Sequence, residues 1–185
     1  MRATLDKLIS AGGLILAVGL LIAGGLLTYA YTYIGNEVEA QLSAQDITMP
    51  EGAALEKLSP ADQEALKPFA GSPMDTGPEA KAYADHYIKA HLDAMSGGRT
   101  YSEVSGEYVA MTPEQKATPE GQKLGELRIS LFQGNTLRGL LLYGAAFATM
   151  GTIAGYAAIA AFVGAVLLLI LGILGLLHAR RQPQG

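Results

Sequence analysis

Residues 137–181 read LRGLLLYGAAFATMGTIAGYAAIAAFVGAVLLLILGILGLLHARR, and between Arg138 and Arg180 they carry no Lys, Arg, Asp or Glu. A helix rises about 1.5 Å per residue and a hydrocarbon core is roughly 30 Å thick, so about 20 residues make one crossing. The apolar part, Gly139 to Leu177, is nearly twice that. Counted back from Arg180, a crossing reaches Ala157 and puts Tyr156 at the far interface, where tyrosines sit comfortably. Residues 139–155 then project about 25 Å further if the helix continues. They are short for a crossing of their own, and no polar turn separates them from the next run, so one long helix is expected. Three crossings are the structural alternative.

A second apolar run, Leu8 to Leu27, passes into Thr28, Tyr29, Tyr31 and Tyr33. It is longer than a signal-peptide core, and the tyrosines read as an interfacial belt, so a retained anchor is expected. Arg2 and Lys7 flank this run, and Arg180 and Arg181 flank the other; the positive-inside rule puts both termini in the cytoplasm. Between Asn36 and Thr136 stand sixteen acidic residues against eight lysines and arginines. The protein is expected in the plasma membrane, crossing it more than once, with that segment on the outer side.

The formal charge of -4 argues against a nucleic-acid partner, which needs a basic patch. With no cysteine there is no disulfide frame and no thiolate metal site. The intervening segment carries repeated helix-start signals. Ser59-Pro60 opens a short helix that stops at Pro68. Thr76 and Glu79 have capping-box spacing, Pro78 follows in the first turn and Gly97 ends the helix. Ala80, Ala84, Tyr87, Ile88, His91 and Met95 give that helix one apolar stripe. Thr100, Thr112 and Thr118 are further N-caps, and Leu124, Leu127 and Leu131 run on toward the membrane. Gly134-Asn135 is expected to break that helix before Thr136 restarts it.

The chain thus reads as an all-α membrane protein with two transmembrane helices, the second long and extended outward, and a small helical extracytoplasmic domain between them. The expected divisions are residues 1–34 (first transmembrane helix), 35–135 (outer domain), 136–181 (long last helix) and 182–185 (cytoplasmic tail).

Motifs for chemistry are sparse. His86 and His91 are spaced i, i+5, on different helix faces, so no metal is assigned. No phosphate loop, nucleophile elbow or paired-acid signature is present, and the apolar runs lack ionisable groups. A catalytic site would need Asp85, His86, His91 and Glu103 to converge. No catalytic residue and no cofactor is assigned. On a helical wheel Leu140, Tyr143, Phe147, Met150 and Ile153 form a bulky face, with Gly144, Ala148, Gly151, Thr152 and Gly155 opposite. A helix apolar all round is buried all round, so the outer domain is expected to cover one face and a protein partner the other, with Leu140, Tyr143, Gly144, Phe147, Ala148, Met150, Gly151 and Gly155 as the candidate partner-interface residues. For the Gly151/Gly155 pair, close packing between the two membrane helices stands as the other reading.

The stretches LLIAGGLLTYAYTYIGNEVEAQ, AKAYADHYIKAHLDAMSGGRTYSEV and LRGLLLYGAAFATMGTIAGYA together resemble a family of two-crossing actinobacterial membrane proteins. Such chains are often labelled aromatic ring-opening dioxygenases, a label that fails on chemistry here: those enzymes hold non-haem iron on histidine and carboxylate ligands, and this chain has no such set. The resemblance implies an accessory, non-enzymatic subunit of the respiratory supercomplex that joins cytochrome bcc to an aa3-type oxidase. Its partners would be subunits of that haem-containing complex and membrane lipids. The last helix is longer than in shorter family members. The alternative is a free-standing, membrane-anchored extracytoplasmic binding or sensor module.

Overall fold

The computed structural model describes residues Arg2–Arg181, and the tail expected at residues 182–185 lies outside the described residues. In chain order come α1 (Arg2–Ser43), α2 (Gly52–Glu56), α3 (Pro60–Leu66), α4 (Gly77–Ala82), α5 (Lys89–Ser96), α6 (Tyr101–Ala110), α7 (Pro113–Lys116) and α8 (Pro119–Arg181). A 3-10 turn, Lys67–Phe69, extends α3, and a π-helical segment, Tyr83–Ile88, joins α4 to α5. There is no strand among the described residues, only an isolated bridge between Thr48 and Pro73. The fold is all-helical, and α1 and α8, of 42 and 63 residues, are both long and apolar enough to cross a membrane.

The chain divides into two compact units. In the first, α1 up to Asn36 pairs with α8 from Thr149 onward. The pairing is antiparallel. A Cβ added to Gly151 would stand 3.0 Å from Ile34, one on Gly155 3.0 Å from Tyr31, one on Gly24 2.9 Å from Phe162 and one on Gly172 2.9 Å from Leu14. Small residues let the two backbones approach, and Ala17, Ala158, Ala161 and Ala165 are buried along the same seam. The Gly151/Gly155 pair is therefore occupied by packing inside the chain. This register also sets Tyr156 level with the tyrosines of α1.

The second unit, Glu37–Ala148, has a core centred on Met49, Leu66, Met74, Val104 and Leu131. The N-caps fall where the sequence puts them. Ser59 accepts from the Asp62 amide, Thr76 and Glu79 form a capping box, as do Thr100 with Glu103 and Thr112 with Gln115, and the Thr118 hydroxyl accepts from the Gly121 amide. Gly97 ends α5 in the left-handed region at φ 64°.

Two expectations are corrected. The stripe of the central helix runs through Ala80, Ala84, Ile88, Leu92 and Ser96, with Tyr87 half-buried against the same core as expected, while Met95 and His91 face solvent. Steps of four outrun the α-helical 3.6, and the π-helical segment absorbs the drift by turning the later residues back toward the core. Nor does α8 break at Gly134-Asn135. A Cβ on Gly134 would stand 2.5 Å from Leu92 Cδ2, so this glycine serves close approach, and the Asn135 amide donates back to the Leu131 carbonyl at 2.8 Å.

Candidate interaction surface

Within the second unit α8 has one covered face and one bare face. Leu141 and Ala145 are buried, a Cβ on Gly144 would meet Leu42, and Gly77 leaves room for the Ala148 methyl group. On the other side Leu140, Tyr143 and Phe147 are 62%, 68% and 54% exposed. The bare face continues upstream through Ile129 and Phe132, both exposed, with Thr136 filling the intervening place. Ile129, Phe132, Thr136, Leu140, Tyr143 and Phe147 follow one another at steps of three and four, the spacing of a seam that meets another helix. The Tyr101 ring borders the seam with its centroid 5.8 Å from that of Phe132.

Of the eight residues expected at a partner interface, Leu140, Tyr143, Phe147 and Met150 lie on the surface. Gly144, Ala148, Gly151 and Gly155 are instead met by Leu42, Gly77, Ile34 and Tyr31 of the same chain. Ile129 and Phe132 were missed by sequence reasoning. Their signal, apolar residues three apart in phase with Leu140, was present, but a helix break assumed at Gly134-Asn135 cut it off.

The polar residues that a catalytic centre would need are turned to separate partners. Asp85 accepts from Lys81 Nζ at 2.6 Å and from Arg138 Nη2 at 2.8 Å. The Lys81 hydrogen bond, against the opposing effect of burial and with Arg138 adding to it, holds the Asp85 carboxyl below its ordinary range. His86 Nδ1 lies 2.9 Å from Asp62, whose carboxyl is also lowered, first by the Ser59 hydroxyl. His91 Nδ1 donates to the Tyr87 carbonyl at 2.8 Å, and Glu103 is lowered by the Thr100 amide and hydroxyl that it caps. Among the described residues no three His, Asp or Glu side chains are grouped to hold a metal. Arg138, the last charge before the apolar run, ties α8 to the π-helical segment through Asp85.

The chain matches no family model, no curated protein and no solved structure.

Proposed function

We propose that this chain spans the membrane twice with both termini in the cytoplasm, holds its Glu37–Ala148 unit outside, and serves as a non-catalytic accessory subunit of an actinobacterial cytochrome bcc–aa3 supercomplex. The seam from Ile129 to Phe147 carries the reading. It is an apolar helix face left bare within a unit rich in charged residues, and such faces mark contacts with other proteins. In the sequence Leu140 and Phe147 precede Tyr156 by about sixteen and nine residues, and the reading counts the crossing from Tyr156 onward, which leaves them outside the hydrocarbon. On this reading a protein partner, not lipid, covers them. The regular step of three and four suits an apolar helix of the partner.

In the first unit apolar side chains point outward from both helices: Ile15, Ile22 and Leu26 on α1 and Ile159, Val163, Val166 and Ile170 on α8 are all exposed. That is what a lipid-clad pair presents. The respiratory assignment draws on the family resemblance of the quoted segments, and the non-catalytic assignment on the separate engagement of Asp85, His86, His91 and Glu103.

A native gel of membranes solubilised in mild detergent, probed for this chain and for haem, tests the reading. The chain is expected in a high-mass haem band, and the double substitution Tyr143→Ser and Phe147→Ser is expected to shift it to low mass. Recovery of the unaltered chain alone, without haem absorbance, would overturn the proposal in favour of a free-standing binding or sensor module.

A further inference from the structure

Between α1 and α8 in the first unit lies an open groove of about 400 Å³, lined by Thr28, Tyr31, Thr152, Tyr156, Ile159 and Phe162 among others. Its polarity changes along its length. Thr152 and the two phenols stand at one end, and Ile159 and Phe162 at the other. Thr28 adds little polarity, because its hydroxyl is turned back to the Gly24 carbonyl at 2.8 Å. Phe162 closes the apolar end, its ring packed where a Cβ on Gly24 would lie. From Thr152 to Phe162 the helix rises about 15 Å, half of a roughly 30 Å hydrocarbon core. The groove is one leaflet deep, and its polar end sits at the tyrosine level.

We infer that this groove is a lipid site: it takes one acyl chain of a diacyl phospholipid, with the ester end at Tyr31 and Tyr156 and the chain running down to Phe162. The inference rests on the membrane-spanning reading proposed above. Phenol hydroxyls at the interface donate to ester carbonyls, and an acyl chain fills the apolar trough that the small residues Gly155 and Ala158 leave open. No Lys or Arg lines the groove. Recognition is therefore by the chain and ester, and a zwitterionic headgroup is held as well as an anionic one.

Native mass spectrometry of the full chain in mild detergent, with phosphatidylcholine and phosphatidylglycerol of identical acyl chains, tests this. One lipid per chain is expected to survive delipidation, equally for the two headgroups. Ile159→Trp, which fills the trough, is expected to lower retention about tenfold. Leu167→Trp, exposed but outside the groove, is expected to leave it unchanged. The pair Tyr31→Phe and Tyr156→Phe adds no bulk, keeps the helicity and is expected to weaken retention as well. Equal retention by the unaltered chain and Ile159→Trp, or a lipid-free dimer, overturns the lipid site, and a preference for the anionic lipid overturns recognition by chain and ester alone. A chain that stays monodisperse after detergent is removed overturns the membrane reading itself, which the other outcomes leave standing.

Discussion

Glu79 shows what one residue does beyond the motif that announces it. Spacing from Thr76 identifies a capping box, but a capping box is usually exposed, and this carboxylate is only 7% exposed. Its oxygens take hydrogen bonds from the Ser72 hydroxyl at 2.8 Å, the Asp75 amide at 3.1 Å, and the Thr76 amide and hydroxyl at 2.9 and 2.8 Å. Burial pushes the carboxyl up; the Thr76 hydroxyl, the Asp75 amide, the Ser72 hydroxyl and the Thr76 amide together outweigh it and hold it below the ordinary glutamate value. A lowered folded-state pKa means that the unfolded chain binds the proton more tightly. Glu79 therefore contributes its full stability above the ordinary carboxylate range and loses it as pH falls through the lowered value. Glu79→Gln keeps the shape but donates where the site offers only donors, and is expected to cost about 1–3 kcal/mol at neutral pH. Thermal unfolding followed by circular dichroism from neutral pH to pH 3 checks this: the gap between the two proteins should narrow on acidification. Asp75 shifts the opposite way, raised by burial and by the Glu79 charge.

At the scale of elements, the sequence makes caps and apolar runs legible because each depends on a few neighbouring residues. Ser59, Thr76, Thr100, Thr112 and Thr118 all lie at helix starts for that reason. What escaped is set by partners distant in the chain. A straight 3.6-residue period puts His91 and Met95 in the stripe; the buried residues are Leu92 and Ser96, because the core favours a π-helical segment whose cost no local signal records. Gly134 escaped likewise. Read locally it is a breaker, and Gly134→Ala would then gain about 1 kcal/mol of helix propensity. In the folded chain the added methyl meets Leu92 at 2.5 Å, and overpacking of that kind costs about 1–3 kcal/mol. The packing effect is the larger. Gly134→Ala is expected to lower the melting temperature, and Leu92→Ala, destabilising alone, is expected to be less harmful when combined with it. A double-mutant cycle in urea reads this coupling directly; a melting temperature raised by Gly134→Ala alone would restore the local reading.

At the scale of the whole molecule the question is which parts meet water, lipid and protein. Lys7, Arg180 and Arg181 mark one end of the apolar runs, and the tyrosines mark the other. A chain without cysteine makes single-cysteine reporters straightforward. A thiol reacts with maleimide as the thiolate, which needs water, so a lipid-facing position stays silent on either side. Ser102→Cys, on the exposed side of α6, is expected to react with an impermeant maleimide on intact cells, and His178→Cys only after permeabilisation. Val163→Cys is expected to stay silent in both conditions. Tyr143→Cys decides how the surplus apolar length is covered. If that stretch stands beyond the bilayer against a partner, the thiol reacts from outside when the chain is made alone in a foreign host, and is protected in native membranes. Silence at position 143 in both hosts would put this part of α8 in lipid and remove the argument for a protein partner on the Ile129–Phe147 seam. Reaction at position 102 only after permeabilisation would invert the topology and, with it, the side from which any partner docks.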